Sequence, residues 1–261
     1  MEVVLFYGVF NQVWRVVVSL NFIDLKDRVF LISGATSGIG LSIVENLIAS
    51  NARVVANARS QEKLVKLSQR FRKEQISVIS GDCSDHRVTH AMANLALEKW
   101  GKIDGAIANA GTGFFGSLLD GTQEQIVETI NTNYLGTINL ARSVLAILKD
   151  AGQGDIVIIA SAAGYRGNAN EAVYAGTKHA QVGFAGSLDR EVAKFGVRVS
   201  LICPAGTNTN FAIGNGRSLG DPKLEEYLDP EFVSYQVLEV LKQPLNVRTQ
   251  SWGSWSIHQD S

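Results

Sequence analysis

Residues 29–40 read V-F-L-I-S-G-A-T-S-G-I-G, and residues 41–50 continue as L-S-I-V-E-N-L-I-A-S. The first five make a short apolar run with branched side chains, which suits a strand buried on both faces. Ile43, Leu47 and Ile48 then recur at helical spacing, and Asn51 can take the left-handed conformation that closes a helix. Gly34, Gly38 and Gly40 fall in the turn between strand and helix. Glycines there let the backbone approach a pyrophosphate at the helix N-terminus. The spacing is not G-x-G-x-x-G, so the general dinucleotide fingerprint does not apply. On this stretch alone, a tight turn without a ligand stays open.

Outward from this unit the pattern repeats. Further strands are expected at 53–58, 76–80, 105–108, 155–160, 197–203 and 246–252. Helices are expected at 61–71, 85–100, 122–149, 172–195 and 230–241, the one at 85–100 capped by Ser84 or Asp85. Strands alternating with helices predict an α/β fold, a Rossmann-type doubly wound parallel sheet of about seven strands with helices on both faces. No linker or composition shift divides residues 23–261, which read as a single domain.

Residues 1–22 form an apolar N-terminal extension, broken by Asn11, Gln12 and Arg15. A spanning helix needs about 20 apolar residues in a row, which these interruptions deny. Glu2 stands where a secretory signal carries positive charge. The extension reads as an extra strand or helix over the core, or as a product of start-site choice. Peripheral membrane contact or oligomer contact is the alternative. The chain as a whole reads as cytoplasmic and without a membrane span.

The 261 residues include 25 glycines against 4 prolines, a bias explained by backbone that must approach a ligand. With 24 basic and 25 acidic residues the net charge is -1, so no bulk electrostatic case for nucleic acid exists. Two cysteines, Cys83 and Cys203, exclude a disulfide framework in so long a chain. No G-x-S-x-G elbow and no G-K-[ST] loop is present, which removes a serine hydrolase and a P-loop ATPase.

The end of the second strand reads cofactor choice. An acid about 20 residues past the glycines would bind the ribose 2′-hydroxyl of NAD. Ala58 stands there instead, followed by Arg59. With no carboxylate to repel a 2′-phosphate and a guanidinium able to pair with it, NADP(H) is favoured, with NAD(H) as the alternative.

Tyr174 and Lys178, in Y-A-G-T-K, lie one turn apart on one helical face. An ammonium beside a phenol favours the phenolate and makes the tyrosine a usable acid or base. Ser161 follows the strand at 155–160, where parallel sheets present ligand-binding groups, and Asn133 lies in the long helix. Taken singly each has an ordinary reading: a chance pair, a turn serine, a cap or exposed asparagine.

Together with the glycine turn, these residues resemble the short-chain dehydrogenase/reductase family over roughly residues 25–252. The matches are S-G-A-T-S-G-I-G at 33–40, Gly81-Asp82, Asn109-Ala110-Gly111, Asn133, Ser161 and Tyr174-x-x-x-Lys178, with 13 residues from Ser161 to Tyr174. The resemblance implies an oxidoreductase moving a hydride between NADP(H) and a carbonyl/alcohol pair. Tyr174 would exchange the proton, and Ser161 would hold the reacting oxygen. Lys178 would bind the nicotinamide ribose and lower the pKa of Tyr174. Asn133 would hold a water linking Lys178 to solvent. The implied cofactor contacts are Gly34, Ser37, Gly38, Ile39, Gly40, Arg59, Asp82, Cys83, Asn109, Ala110, Gly111, Tyr174, Lys178, Pro204, Gly206 and Thr209. A cofactor-dependent epimerase or dehydratase, and a cofactor-binding sensor without turnover, are the alternatives.

Departures from the family pattern are Ser33 for a threonine, Ala108 for the first asparagine of N-N-A-G, and Pro204-Ala205-Gly206 for P-G. The resemblance draws the substrate wall from Phe114 and Phe115, residues 163–166 and residues 211–227, with Phe114, Tyr165 and Phe211 as contacts. The aromatic groups suggest a partly apolar carbonyl or alcohol, and Arg166 and Arg217 are candidates for a carboxylate. Gly214, Gly216 and Gly220 mark a mobile lid. A homodimer or homotetramer is implied by resemblance. Asp82, Cys83, Asp85, His86 and His90 resemble a metal cluster, but adenine contact and helix capping account for the two aspartates, and no metal is expected. Cys203 reads as a small buried hydrophobe.

Overall fold

The structure, a computed structural model, describes residues 2–9, 12–19 and 21–259, with side chains over 21–259. β1 (Glu2–Val9) and β2 (Gln12–Ser19) pair antiparallel, Glu2 opposite Ser19, as a two-stranded sheet of their own. Over its described strands the apolar extension is therefore sheet rather than helix, and these two strands lie outside the main sheet. Among the described residues no helix is long and apolar enough to cross a membrane.

The main sheet contains β3 (Val29–Ser33), β4 (Arg53–Ala58), β5 (Ile76–Ser80), β6 (Gly105–Ala108), β7 (Gly154–Ile159), β8 (Val197–Pro204) and β9 (Ser251–Ser254). Its order is β5-β4-β3-β6-β7-β8-β9, and every neighbouring pair is parallel. The helices are α1 (Gly38–Ala49), α2 (Gln61–Ser68), α3 (His86–Trp100), α4 (Gln123–Ile130), α5 (Gly136–Ala151), α6 (Ala172–Val192) and α7 (Pro230–Lys242).

Alternation along β3 explains the layering. Phe30 and Ile32 pack with Ile43 and Leu47 of α1, Leu64 of α2 and Val237 of α7. Val29 and Leu31 pack on the opposite face with Met92 of α3, Leu140 of α5 and Leu188 of α6. All five residues of β3 are buried, and each large apolar side chain so removed from water contributes about 1.5–3 kcal/mol. The chain runs β3, β4, β5 toward one edge and then returns to β6 on the other side of β3. That reversal leaves a crevice at the carboxyl ends of β3 and β6, where open parallel sheets bind ligands.

Two expectations need correction. The helix expected at 122–149 is α4 and α5 joined by a π-helical turn, Asn131–Leu135. The last strand, expected at 246–252, begins only at Ser251. Arg198 on β8 explains the delay. Its guanidinium donates to the carbonyls of Gln243 (2.9 Å), Pro244 (3.0 Å) and Val247 (3.2 Å), so this backbone wraps the arginine instead of pairing with β8. Arg198 Nε also meets Asp155 Oδ1 at 2.7 Å, with both side chains buried.

Removing one partner of a buried ion pair leaves the other charge stranded. Arg198→Met is expected to cost about 3–5 kcal/mol in urea unfolding, and a loss below about 1 kcal/mol would contradict this account of the sheet edge.

Candidate active site

The glycine turn between β3 and α1 is held by contacts that leave no space for side chains. Gly34 has φ +68°, and a Cβ at Gly40 would lie 2.1 Å from the Gly34 carbonyl oxygen. Asn109, just past β6, donates from Nδ2 to the carbonyls of Ser33 and Gly34, both at 3.0 Å. The Ser33 hydroxyl accepts from the Asn109 and Ala110 amides at 3.2 and 3.1 Å.

This clamp aims the start of α1 into a cleft of about 1130 Å³ at the carboxyl ends of the strands. Ser37 occupies the N-cap in extended conformation but makes no capping bond, and the first turn holds no acid. Ser60, Asp85, Thr122 and Asp229, in contrast, each cap their own helix. The first amides of α1 therefore lack an intrahelical partner and carry the positive end of the helix dipole, which is the chemistry that holds phosphate. Ser37, Gly38 and Ile39 line the cleft, as do Asp82, Cys83, Ala110, Gly111, Pro204, Gly206 and Thr209. The Thr209 methyl would lie 2.9 Å from a Cβ at Gly38, so this loop covers the turn directly.

At the β4 end, Arg59 lines the cleft and pairs with Glu128 at 2.6 Å, both side chains being largely exposed. Such a pair is worth about 0–1 kcal/mol, little enough for the guanidinium to exchange partners. Burial pushes the Cys83 thiol up to about 12, so it stays protonated.

Ser161, Tyr174 and Lys178 converge on the same cleft from the end of β7 and the first turns of α6. Ser161 Oγ accepts from Ala163 N at 3.1 Å. Burial pushes the Tyr174 phenol up to about 12, against the opposing pull of the Ser161 hydrogen bond and the Arg217 charge. The direction is opposite to the lowering expected from Lys178, because burial outweighs the surrounding charges. Burial also pulls the Lys178 ammonium down to about 8.

Lys178 Nζ donates to Ile159 O and to Gln181 Oε1, both at 3.0 Å. An ammonium has three donors, so one remains for a ligand. Gln181, fully buried, then donates from Nε2 to the Asn133 carbonyl at 2.8 Å and meets Thr137 Oγ1 at 2.8 Å. Asn133 lies in the π turn, and Thr137 Oγ1 also donates to its carbonyl at 2.7 Å. The Asn133 side chain is engaged as well, with Thr112 N (2.8 Å), Thr112 O (2.9 Å) and Thr177 Oγ1 (3.0 Å). The carbonyl of Asn133, the residue expected to hold a relay water, is thus met by a threonine and a glutamine side chain.

The substrate side needs one correction. Phe114 does not line the main cleft but a separate cavity of about 250 Å³. Its neighbour Phe115 lines the cleft and packs on Tyr174 at 5.4 Å between ring centroids, with Phe211 5.6 Å from Tyr174. Tyr165 lines the cleft, but its hydroxyl is bonded to Ser251 and receives the Cys203 thiol at 3.5 Å, tying the loop to β8 and β9. Gln181 and the buried Glu171 were not singled out from the sequence. A polar residue on the apolar stripe of α6, three positions after Lys178, is the signal that marks Gln181. Among the described residues no group of three or more metal-ligating side chains is assembled.

Residues 28–218 match a family model described as short chain dehydrogenase. The chain is 30% identical over 199 residues to Oxidoreductase BOA17 of Botryotinia fuckeliana (strain B05.10), spanning 76% of this chain and 72% of that protein. An alcohol dehydrogenase from the archaeon Thermococcus sibiricus, complexed with 5-hydroxy-NADP, superposes with TM-score 0.82 at 28% identity over 90% of this chain and 99% of that one. A short chain dehydrogenase/reductase from Burkholderia phymatum in complex with NAD has TM-score 0.76 at 23% identity, covering 84% and 87%, a likeness of fold alone.

Gln181→Leu deprives the ammonium of an acceptor. It is expected to cost about 1.5–3 kcal/mol in urea unfolding, whereas a change under about 0.5 kcal/mol would show the bridge to be idle.

Proposed function

The chain belongs to the short-chain dehydrogenases and is an oxidoreductase of that family, and from this premise we propose that it transfers a hydride between NADP(H) and a carbonyl/alcohol pair. The observation that carries the proposal is the meeting of Ser161, Tyr174 and Lys178 in one cleft with the uncapped N-terminus of α1. We take residues 23–261 as the single working domain and residues 1–22 as an extension outside it.

The residues present fit a dinucleotide. The α1 amides offer donors to a pyrophosphate, and the glycine turn leaves the backbone bare for its approach. Asp82, which lines the cleft, would contact the adenine. With Ala58 in place of an acid, Arg59 can leave its exposed pair with Glu128 for a 2′-phosphate, and Ser60 and Lys63 line the same end of the cleft. The nicotinamide supplies or accepts the hydride when bound.

The protein's own work is proton transfer and positioning. Tyr174 gives its proton to the carbonyl oxygen in reduction and takes one from the hydroxyl in oxidation. Ser161 holds that oxygen and stabilises its developing charge. The remaining donor of Lys178 would bind the ribose hydroxyls. Gln181 and Ile159 fix the ammonium, and Asn133 anchors Gln181. Phe115 and Phe211 pack around the Tyr174 ring and shield the reacting oxygen from water.

Tyr174→Phe is expected to reduce turnover about 10²–10⁴-fold while leaving NADPH binding intact, read by steady-state rates and by titration of nucleotide fluorescence. Turnover at wild-type level would refute the mechanism. Arg59→Ala removes a charge-assisted pair, so NADPH affinity is expected to fall about tenfold or more and NADH affinity hardly at all. Equal losses would sink the NADP(H) preference. The charge on Lys178 is complete below about pH 8 and lost as pH rises through that value. Ketone reduction is therefore expected to decline above it, and Lys178→Arg, whose charge does not titrate, to lack that limb.

A further inference from the structure

We infer that the substrate carries a carboxylate and that Arg217 is the group that holds it. The inference rests on the reading of Tyr174 and Ser161 as the reacting end of the cleft. Arg217 is half-buried and lines that cleft. Its guanidinium carbon lies 5.6 Å from the ring centroid of Phe115, 5.7 Å from that of Phe211 and 5.4 Å from that of Tyr227. Phe115 and Phe211 in turn pack on Tyr174, which places the cation one ring away from the proposed proton donor.

The backbone holds this placement. Phe115 N donates to Asn215 O at 2.9 Å, Gly214 N to Arg217 O at 2.9 Å and Arg217 N to Ala212 O at 3.1 Å. Gly216, at φ +104°, runs so close to Phe115 that a Cβ would lie 2.3 Å from the Phe115 carbonyl oxygen. The loop is pressed onto the aromatic wall, and the backbone at Arg217 cannot shift without undoing these contacts.

The charge itself points to a ligand. Among the described residues no carboxylate lies within ion-pair distance of Arg217, whereas Arg28, Arg59, Arg198 and Arg248 each have one. The three aromatic rings attract the guanidinium but offer its N–H groups no charged acceptor. That planar fork matches a carboxylate through two parallel hydrogen bonds. Besides Lys178, whose Nζ lies 5.6 Å from the Tyr174 ring centroid, the charge near the phenol is Glu171, which lines the cleft and accepts from Asn168 N at 2.6 Å. It repels an anion, so the substrate carboxylate belongs on the Phe115–Arg217 side of Tyr174. A hydroxy or oxo acid, its reacting carbon beside Tyr174 and its carboxylate across the Phe115 ring, satisfies both charges.

The test uses the enzyme saturated with NADP⁺ and three hydroxy acids, 2-hydroxybutyrate, 3-hydroxybutyrate and mandelate, each against its methyl ester. A panel of uncharged secondary alcohols is run beside them. The expected result is a kcat/KM for at least one acid about tenfold or more above its ester, with that ratio collapsing through KM in Arg217→Met. Acids and esters turned over alike, or a ratio unchanged in Arg217→Met, would overturn the inference. Turnover of the neutral alcohols without any acid would overturn it too, while leaving the proposed function standing. No turnover of any compound by the wild-type enzyme would count against both. Calorimetric titration of the same acids supplies a reading independent of turnover. Binding to the wild-type complex that Arg217→Met loses supports the inference, and binding that it keeps contradicts it.

Discussion

The absence of room for a side chain at Gly40 governs the rest of the molecule. A Cβ there would meet the Gly34 carbonyl oxygen at 2.1 Å and Asn109 Nδ2 at 2.4 Å. Those atoms belong to the end of β3 and to the loop after β6, so a close approach at one residue joins α1, β3 and the reversal point of the sheet. Asn109 can reach the Ser33 and Gly34 carbonyls because nothing intervenes. The axis of α1 then points its first amides into the crevice that the strand order has opened. Local backbone sterics, clamped by the Asn109 amide and the Ser33 hydroxyl, thereby become a binding surface.

On the other side of the crevice the chemistry is costly to hold. Tyr174, Lys178, Asn133 and Gln181 are all buried, and a buried ammonium persists only if its hydrogens are satisfied. The π turn at Asn131–Leu135 carries the backbone carbonyl that meets this need at one remove, through Gln181. π turns concentrate at functional sites, where they redirect backbone polar groups that a regular helix would consume. Here the irregularity in the helix between β6 and β7 and the glutamine on α6 form one device. Each explains the other.

Much of this was legible in the residue order. The strands at 29–33, 53–58, 76–80 and 105–108 have the bounds read from branched runs and glycine boundaries, because buried parallel strands express their environment in every residue. The final strand was misplaced because its start depends on Arg198, a residue some fifty positions earlier on another strand, and periodicity carries no trace of such a partner. Likewise, helical spacing over 122–149 reveals a helix but not the extra residue in one of its turns. Phe114 and Phe115 are chemically alike, and a local change in chain direction sends them to different cavities. Gln181 escaped notice because its role needs Lys178 and Asn133 in three dimensions at once.

The central claim is that the crevice between β3 and β6, floored by the glycine turn, is where the dinucleotide lies. Amide hydrogen exchange with and without NADPH tests it without knowledge of the substrate. The account predicts new protection concentrated in residues 36–41, 81–83 and 109–111, with the outer faces of α2 and α3 unchanged. Protection confined to other segments, or none at saturating nucleotide, would contradict it.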